Sequence, residues 1–102
     1  MDEKDFSLRL AQLRTKKGVS ARDMSLTMGQ NPGYVNNIES GKSMPSLSGI
    51  FFICDYLGIT PKEFFDTDAA DPVKERELLQ AVRGLDSKQL DMLITLAKGL
   101  KK

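Results

Sequence analysis

The 102 residues predict an all-α chain: a five-helix domain over residues 1–66 followed by a two-helix extension over 67–102. Three observations carry this. Apolar residues recur at helical spacing, no stretch alternates apolar and polar residues long enough for a useful strand, and glycines and cap residues cut the pattern into short segments. The first helix runs from about Asp5 to Lys17, with Phe6, Leu10 and Leu13 on one face and Gly18 as its stop. Ser20 caps a second helix that reaches Met28, with Met24 and Met28 inward, before Gly29 ends it. Asn31-Pro32 opens a third. Asparagine is a strong cap, and proline loses nothing at the first helical position because that N–H has no intrahelical partner. Val35 and Ile38 then face inward and Gly41 stops the helix. Ser46 caps a fourth, with Leu47, Ile50, Phe51, Cys54 and Leu57 inward and Gly58 at its end. "TPKE", Thr60 to Glu63, is a capping box for a fifth, whose Phe64 and Phe65 close the core.

"DTDAADP", residues 66–72, reads as a linker that ends in a new cap, Asp71-Pro72. A sixth helix runs to about Arg83 with Leu78, Leu79 and Val82 apolar, and Gly84 breaks it. Asp86 and Gln89 form another capping box, and a seventh helix follows from Ser87 to about Leu100. Its stripe is Leu90, Leu93, Ile94, Ala97 and Leu100, widened by Met92 and Leu96.

Composition narrows the function. Hydrophobic residues are 40% and charged residues 28%, the balance of a soluble globular chain. The longest apolar run, Ile50–Cys54, is far too short to span a membrane, and the acidic N-terminus does not read as a secretion signal. A single cysteine, Cys54, forms no internal disulfide, which points to a reducing cytoplasm. Histidine is absent, which removes the commonest general base and metal ligand. No pair of carboxylates is placed in an obvious cleft. The expectation is a non-enzyme with no metal, cofactor or membrane partner. Net charge is only +1, but residues 14–45 hold five basic side chains against two acidic ones, while residues 67–102 are nearly balanced. That bias surrounds the third helix, although an ordinary solvated surface has the same look.

The second and third helices are short and joined by the tight "GQN" turn, the spacing of a helix-turn-helix. Four segments sharpen this: "LRTKKGVS" (Leu13–Ser20), "MSLTMG" (Met24–Gly29), "VNNIESGKSMPS" (Val35–Ser46) and "ICDYLGITPKEFF" (Ile53–Phe65). Together they resemble the phage-repressor, Cro/C1-type (XRE-like) helix-turn-helix family over Leu10–Phe65. The resemblance implies a five-helix, lambda-repressor-like domain that binds double-stranded DNA, with the third helix, about residues 32–39, entering the major groove. It also implies an ion pair between Arg14 and Glu39, joining the first and third helices, with a structural role.

Three positions depart from the family pattern. Ala21 stands where a phosphate-holding glutamine is usual, and Pro32 and Gly33 occupy the start of the reading helix. Gly33 contributes close backbone approach rather than a polar side chain. Base contact then falls to Tyr34, Asn36 and Asn37. Asparagine pairs with N6 and N7 of adenine, and tyrosine can touch a thymine methyl or a phosphate. Asn37 is the leading candidate, and the alternative for both Asn36 and Asn37 is plain solvation. Asn31 serves either as cap or as a phosphate contact. Lys42 and Ser43 in the following loop, with Ser20, Arg22 and Lys17, complete the phosphate-contacting set.

The last two helices cannot bury both apolar faces by themselves. Either they fold back on the domain or they pair with a second chain, and pairing would place two reading helices one DNA turn apart. The sequence therefore predicts a dimeric DNA-binding regulator, a repressor by family resemblance. The rival is a protein-interaction module on the same scaffold, with the DNA surface lost at Ala21, Pro32 and Gly33 and with Tyr34 and Met44 as contacts.

Overall fold

Seven α-helices in chain order, with no strand among the described residues, make up the computed structural model, which describes residues 1–68 and 70–101. Ala69, inside the expected linker, and Lys102, at the end of the expected extension, lie outside the described residues. Helix α1 spans Glu3–Lys17 and begins two residues earlier than its apolar spacing suggests. Asp2 is the reason: its side chain accepts from the Asp5 N–H, and Asp5 returns the bond to the Asp2 N–H, a reciprocal cap with an acidic residue at each end. Helix α2 (Ala21–Thr27) starts on the Ser20 cap and ends one residue short of Met28. Gly29 follows at φ +75°, a left-handed turn that glycine adopts without a Cβ penalty.

Helix α3 spans Tyr34–Glu39, so it starts two residues later than Pro32. Asn31 to Tyr34 form a separate turn. The Tyr34 N–H donates to the Asn31 carbonyl at 3.1 Å, and Gly33 has φ −93° and ψ 0°, the values of the third residue of a type I turn. Pro32 sits at the second position, where its fixed φ fits, and Asn31 Oδ1 accepts from the Gly33 N–H at 3.1 Å. Asn31 thus caps a turn rather than the helix.

Helix α4 (Leu47–Leu57) and α5 (Pro61–Phe65) start on the expected Ser46 and Thr60 caps. The inward face of α4 is corrected. Ile53, Cys54 and Leu57 are buried, Ile50 is half-buried, and Leu47 and Phe51 face outward with Phe52. The cause is Gly49, which is buried and packed against α3, and this turns α4 so that Leu47 and Phe51 fall outside. Phe64 is fully buried. Phe65 is half-exposed but stacks on its neighbours, with ring centroids 5.2 Å from Phe64 and 6.1 Å from Phe6. The core formed by α1–α5 includes Phe6, Leu10, Leu13, Met24, Val35, Ile38 and Ile53.

Cys54 lies in that core, where burial first and Asp55 second push its thiol up to about 11. Between pH 9 and about 11 the folded chain keeps a proton that the unfolded chain sheds, so this group's contribution to stability falls as pH rises through that window. At pH 8 iodoacetamide is expected to alkylate Cys54 about 100-fold more slowly in the folded chain than in urea. Equal rates would mean that the thiol is accessible.

Helix α6 (Pro72–Val82) leans on the domain only through its first half. Pro72 is buried, Val73 packs on the core, and Arg76 bonds Glu63 Oε1 at 3.1 Å and the Gly58 carbonyl at 3.0 Å. Helix α7 (Ser87–Leu100) has no buried residue. The radius of gyration is 16.6 Å, against about 13 Å for a compact chain of this length. The projecting extension accounts for the excess. No described helix is long and apolar enough to cross a membrane.

Candidate nucleic-acid interface

Helix α3 has only six residues, too few to hold its own shape. Three contacts from other helices fix it. Ser25 in α2 is fully buried. Its Oγ accepts from the Val35 N–H at 2.9 Å and donates to the Ala21 carbonyl at 2.7 Å. Gly33 provides no side-chain cap, so Ser25 supplies one from the neighbouring helix and sets how α2 and α3 meet. At the other end Ser7 Oγ donates to the Ile38 carbonyl at 2.7 Å. Arg14 grips Glu39 with two bonds, Nε to Oε2 at 2.7 Å and Nη2 to Oε1 at 2.9 Å, while its Nη1 donates to the Val19 carbonyl at 2.8 Å. The side chains of this pair are only 19% and 12% exposed. The carboxylate bonds raise the Arg14 pKa above its ordinary value, against the opposing effect of burial.

With Val35 and Ile38 sealed inside, helical geometry turns Gly33, Asn36, Asn37 and Ser40 outward. Asn36 is exposed and Asn37 is half-buried, with its Nδ2 close to Gly33. Ser40 shares that face, exposed, and its Oγ donates to the Asn37 carbonyl at 3.3 Å. Sequence reading passed over it because it follows the last helical residue, although its spacing from Asn36 and Asn37 carries the signal.

Tyr34 points elsewhere. It is half-buried, burial pushes its phenol pKa up, and its hydroxyl lies over α4: a Cβ at Gly49 would sit 2.8 Å from Tyr34 Oη and 3.1 Å from Pro45 Cβ. Any larger residue at 49 would push the Tyr34 hydroxyl aside and crowd Pro45, and a glycine inside a helical pattern was the available sign of such a close approach.

The loop after α3 folds onto the helix end. The backbone N–H groups of Lys42 and Ser43 donate to the Asn37 carbonyl at 2.9 and 3.2 Å, which keeps both exposed side chains beside α3. At the start of α2, Ser20 Oγ accepts from the Asp23 N–H at 3.0 Å and keeps its own proton free to donate, with exposed Arg22 two residues on. Lys17 is placed apart from this group. Its ammonium stands 5.3 Å from the Tyr56 ring centroid, beside a cleft that Lys16, Asp71, Pro72 and Lys74 also border. Asn31 is exposed, with its side-chain oxygen committed to the Gly33 turn.

Among the described residues no cluster of His, Cys, Asp and Glu side chains is arranged to hold a metal ion. The arrangement is a short rigid helix with an amide-bearing outer face, flanked by a basic loop and a serine-capped helix start. A family model described as helix-turn-helix matches residues 10–64. No curated protein and no solved structure matches the chain.

Proposed function

The chain belongs to the Cro/C1-type helix-turn-helix family, a family of DNA-binding regulators, and on that premise we propose that it is a sequence-specific repressor that inserts α3 into the major groove as a dimer. The observation that carries this reading is the outer face of α3. Gly33, Asn36, Asn37 and Ser40 share one face of a helix held from three sides, with Asn36 and Ser40 exposed and Gly33 and Asn37 half-buried. A helix of this width fits the groove, and two neighbouring asparagines suit adenine edges. Lys42, Ser43, Ser20 and Arg22 flank the face and take phosphates, which set register without reading sequence. Tyr34, lying against Gly49, serves a phosphate or the placement of α4 better than it serves a base. Asn31 stands as a secondary phosphate contact. Repression then follows from occupying the site and excluding other proteins.

Selection from a random duplex pool, followed by sequencing, tests the reading. A pseudo-palindromic site is expected to emerge. On that site Asn37→Ala should lose about 5- to 150-fold in affinity while binding to random DNA hardly changes, the cost of one bidentate base contact. Lys42→Ala should weaken both and lower the salt slope by about 1. Equal losses on both DNAs for Asn37→Ala would remove base reading from that side chain. A pool that yields no enriched sequence favours the protein-interaction reading, which has the bare Ala21, Pro32 and Gly33 side chains and the exposed Phe51 and Phe52 on its side.

A further inference from the structure

We propose that the cleft between α6 and α7 receives the same cleft of a second copy of this chain, the two helix pairs closing into a four-helix bundle. The inference rests on the dimer in the proposed function and names the surface that forms it. The cleft has a volume of about 350 Å³ and is almost wholly apolar; its walls include Leu78, Leu79 and Val82 on α6 and Leu93, Ile94 and Ala97 on α7.

Helix α7 carries more apolar surface than one neighbour can cover. At 100° per residue its apolar side chains, from Met92 round to Ile94, sweep roughly 200°, about twice the ~100° stripe of a helix with a single contact face. Helix α6 shelters one side: Leu93 is 38% exposed, whereas Met92, Leu96 and Leu100 are 69%, 63% and 78% exposed. Seven large apolar side chains of the pair stand open. At about 100 Å² each they offer ~700 Å², close to the ~800 Å² per partner of a stable interface and above the patch that a typical monomer exposes.

The occupant follows from charge and symmetry. Residues 70–101 carry six basic and five acidic side chains, so self-association meets little repulsion and no strongly charged partner is called for. An isologous two-fold contact closes on itself, and the uncovered side of each α7 meets the open groove of its partner. Fold-back within one chain is opposed by the Pro72, Val73 and Arg76 contacts, which fix the first half of α6 and leave α7 off the domain. Leu47, Phe51 and Phe52 on α4 are a second group of exposed apolar side chains.

Sedimentation of the full chain without DNA provides the test. The wild-type chain should be a dimer at micromolar concentration. Leu96→Glu should raise its dissociation constant ~30-fold or more, the scale of a central contact, with helical circular dichroism retained because residue 96 is exposed in the monomer. Met92→Glu repeats the test at the rim should Leu96→Glu lose helicity, and Phe52→Glu should leave the dimer intact. A monomeric wild-type chain overturns the proposal, and so does a dimer that survives Leu96→Glu and Met92→Glu. A dimer that selects no DNA leaves this interface standing and sinks only the regulator reading.

Discussion

Glu39→Ala lowers the stability of the domain by about 3 kcal/mol. The figure sits at the lower end of the ~3–5 kcal/mol lost when one partner of a buried ion pair is removed, because Arg14 keeps 19% exposure and a bond to the Val19 carbonyl. For a domain of this size the drop corresponds to roughly 12–24 °C in Tm. The cost comes from stranding a guanidinium whose geometry is built for two carboxylate oxygens, more than from the pair's own attraction. A paired change separates the two. Arg14→Leu/Glu39→Leu removes both charges and should lose much less than the sum of the single losses. Thermal unfolding of the four proteins decides it. A Glu39→Ala midpoint within a degree or two of wild type would mean that water already solvates the pair.

Caps and spacing made much of the architecture legible in the sequence. Where a local rule acts alone, spacing and caps place the element. Ser20, Ser46, Thr60, Asp71 and Asp86 each accept from the third residue onward, and the helices after them begin where those residues say. Where two rules compete, the reading slips. Asn31-Pro32 satisfies both a helix start and a type I turn, and the turn prevails because the Asn31 side chain binds the Gly33 N–H two residues on. Leu47 and Phe51 share a face with Cys54 on a helical wheel, yet the close contact of Tyr34 with Gly49 sets the rotation of α4. That is a tertiary fact which no local window contains.

The candidate interface divides in the same way. The outward direction of Asn36 and Asn37 follows from burying Val35 and Ile38 alone. Ser25 and Ser7, the supports of α3, do not announce themselves. A serine in a helix is ordinary, and its role depends on which backbone group arrives from across the core, here the Val35 N–H and the Ile38 carbonyl. Lys17 is placed over Tyr56 by the packing of α1 on α4, which basic composition near α3 cannot foretell.

Arg9→Ala costs about 3–4 kcal/mol, and Arg9→Lys recovers only a minority of that. Arg9 is 2% exposed and has no carboxylate within salt-bridge distance among the described residues. Desolvation lowers its pKa, and the more distant Asp66 and Glu75 counter this. Its bonds go instead to three backbone carbonyls at the end of α5: Nε to Phe64 at 2.7 Å, and Nη2 to Glu63 at 3.0 Å and to Asp66 at 2.8 Å, while Nη1 reaches Gln12 Oε1 at 3.0 Å. These are the last carbonyls of α5, at the negative end of its dipole, of which that of Glu63 also accepts from the Asp66 N–H at 3.3 Å, and a cation there replaces the water that burial has removed. Hydrogen bonds from a charged donor contribute ~1.5–3 kcal/mol each, and those sharing one donor group do not add, which sets the estimate. Lysine keeps the charge, but a single ammonium cannot span three carbonyls held by a planar fork. Urea unfolding gives the totals, and amide exchange should locate the loss in α5 rather than in α3. A loss below 1 kcal/mol for Arg9→Ala would show that solvent reaches those carbonyls. The effect reaches the function through position: α6 starts shortly after α5, and its Arg76 bonds to Glu63 and Gly58. Freeing the end of α5 therefore loosens the strut between the helix-turn-helix domain and the proposed dimer bundle, and on the proposed function DNA selection on Arg9→Ala should tolerate a wider range of half-site spacings than on the wild-type chain.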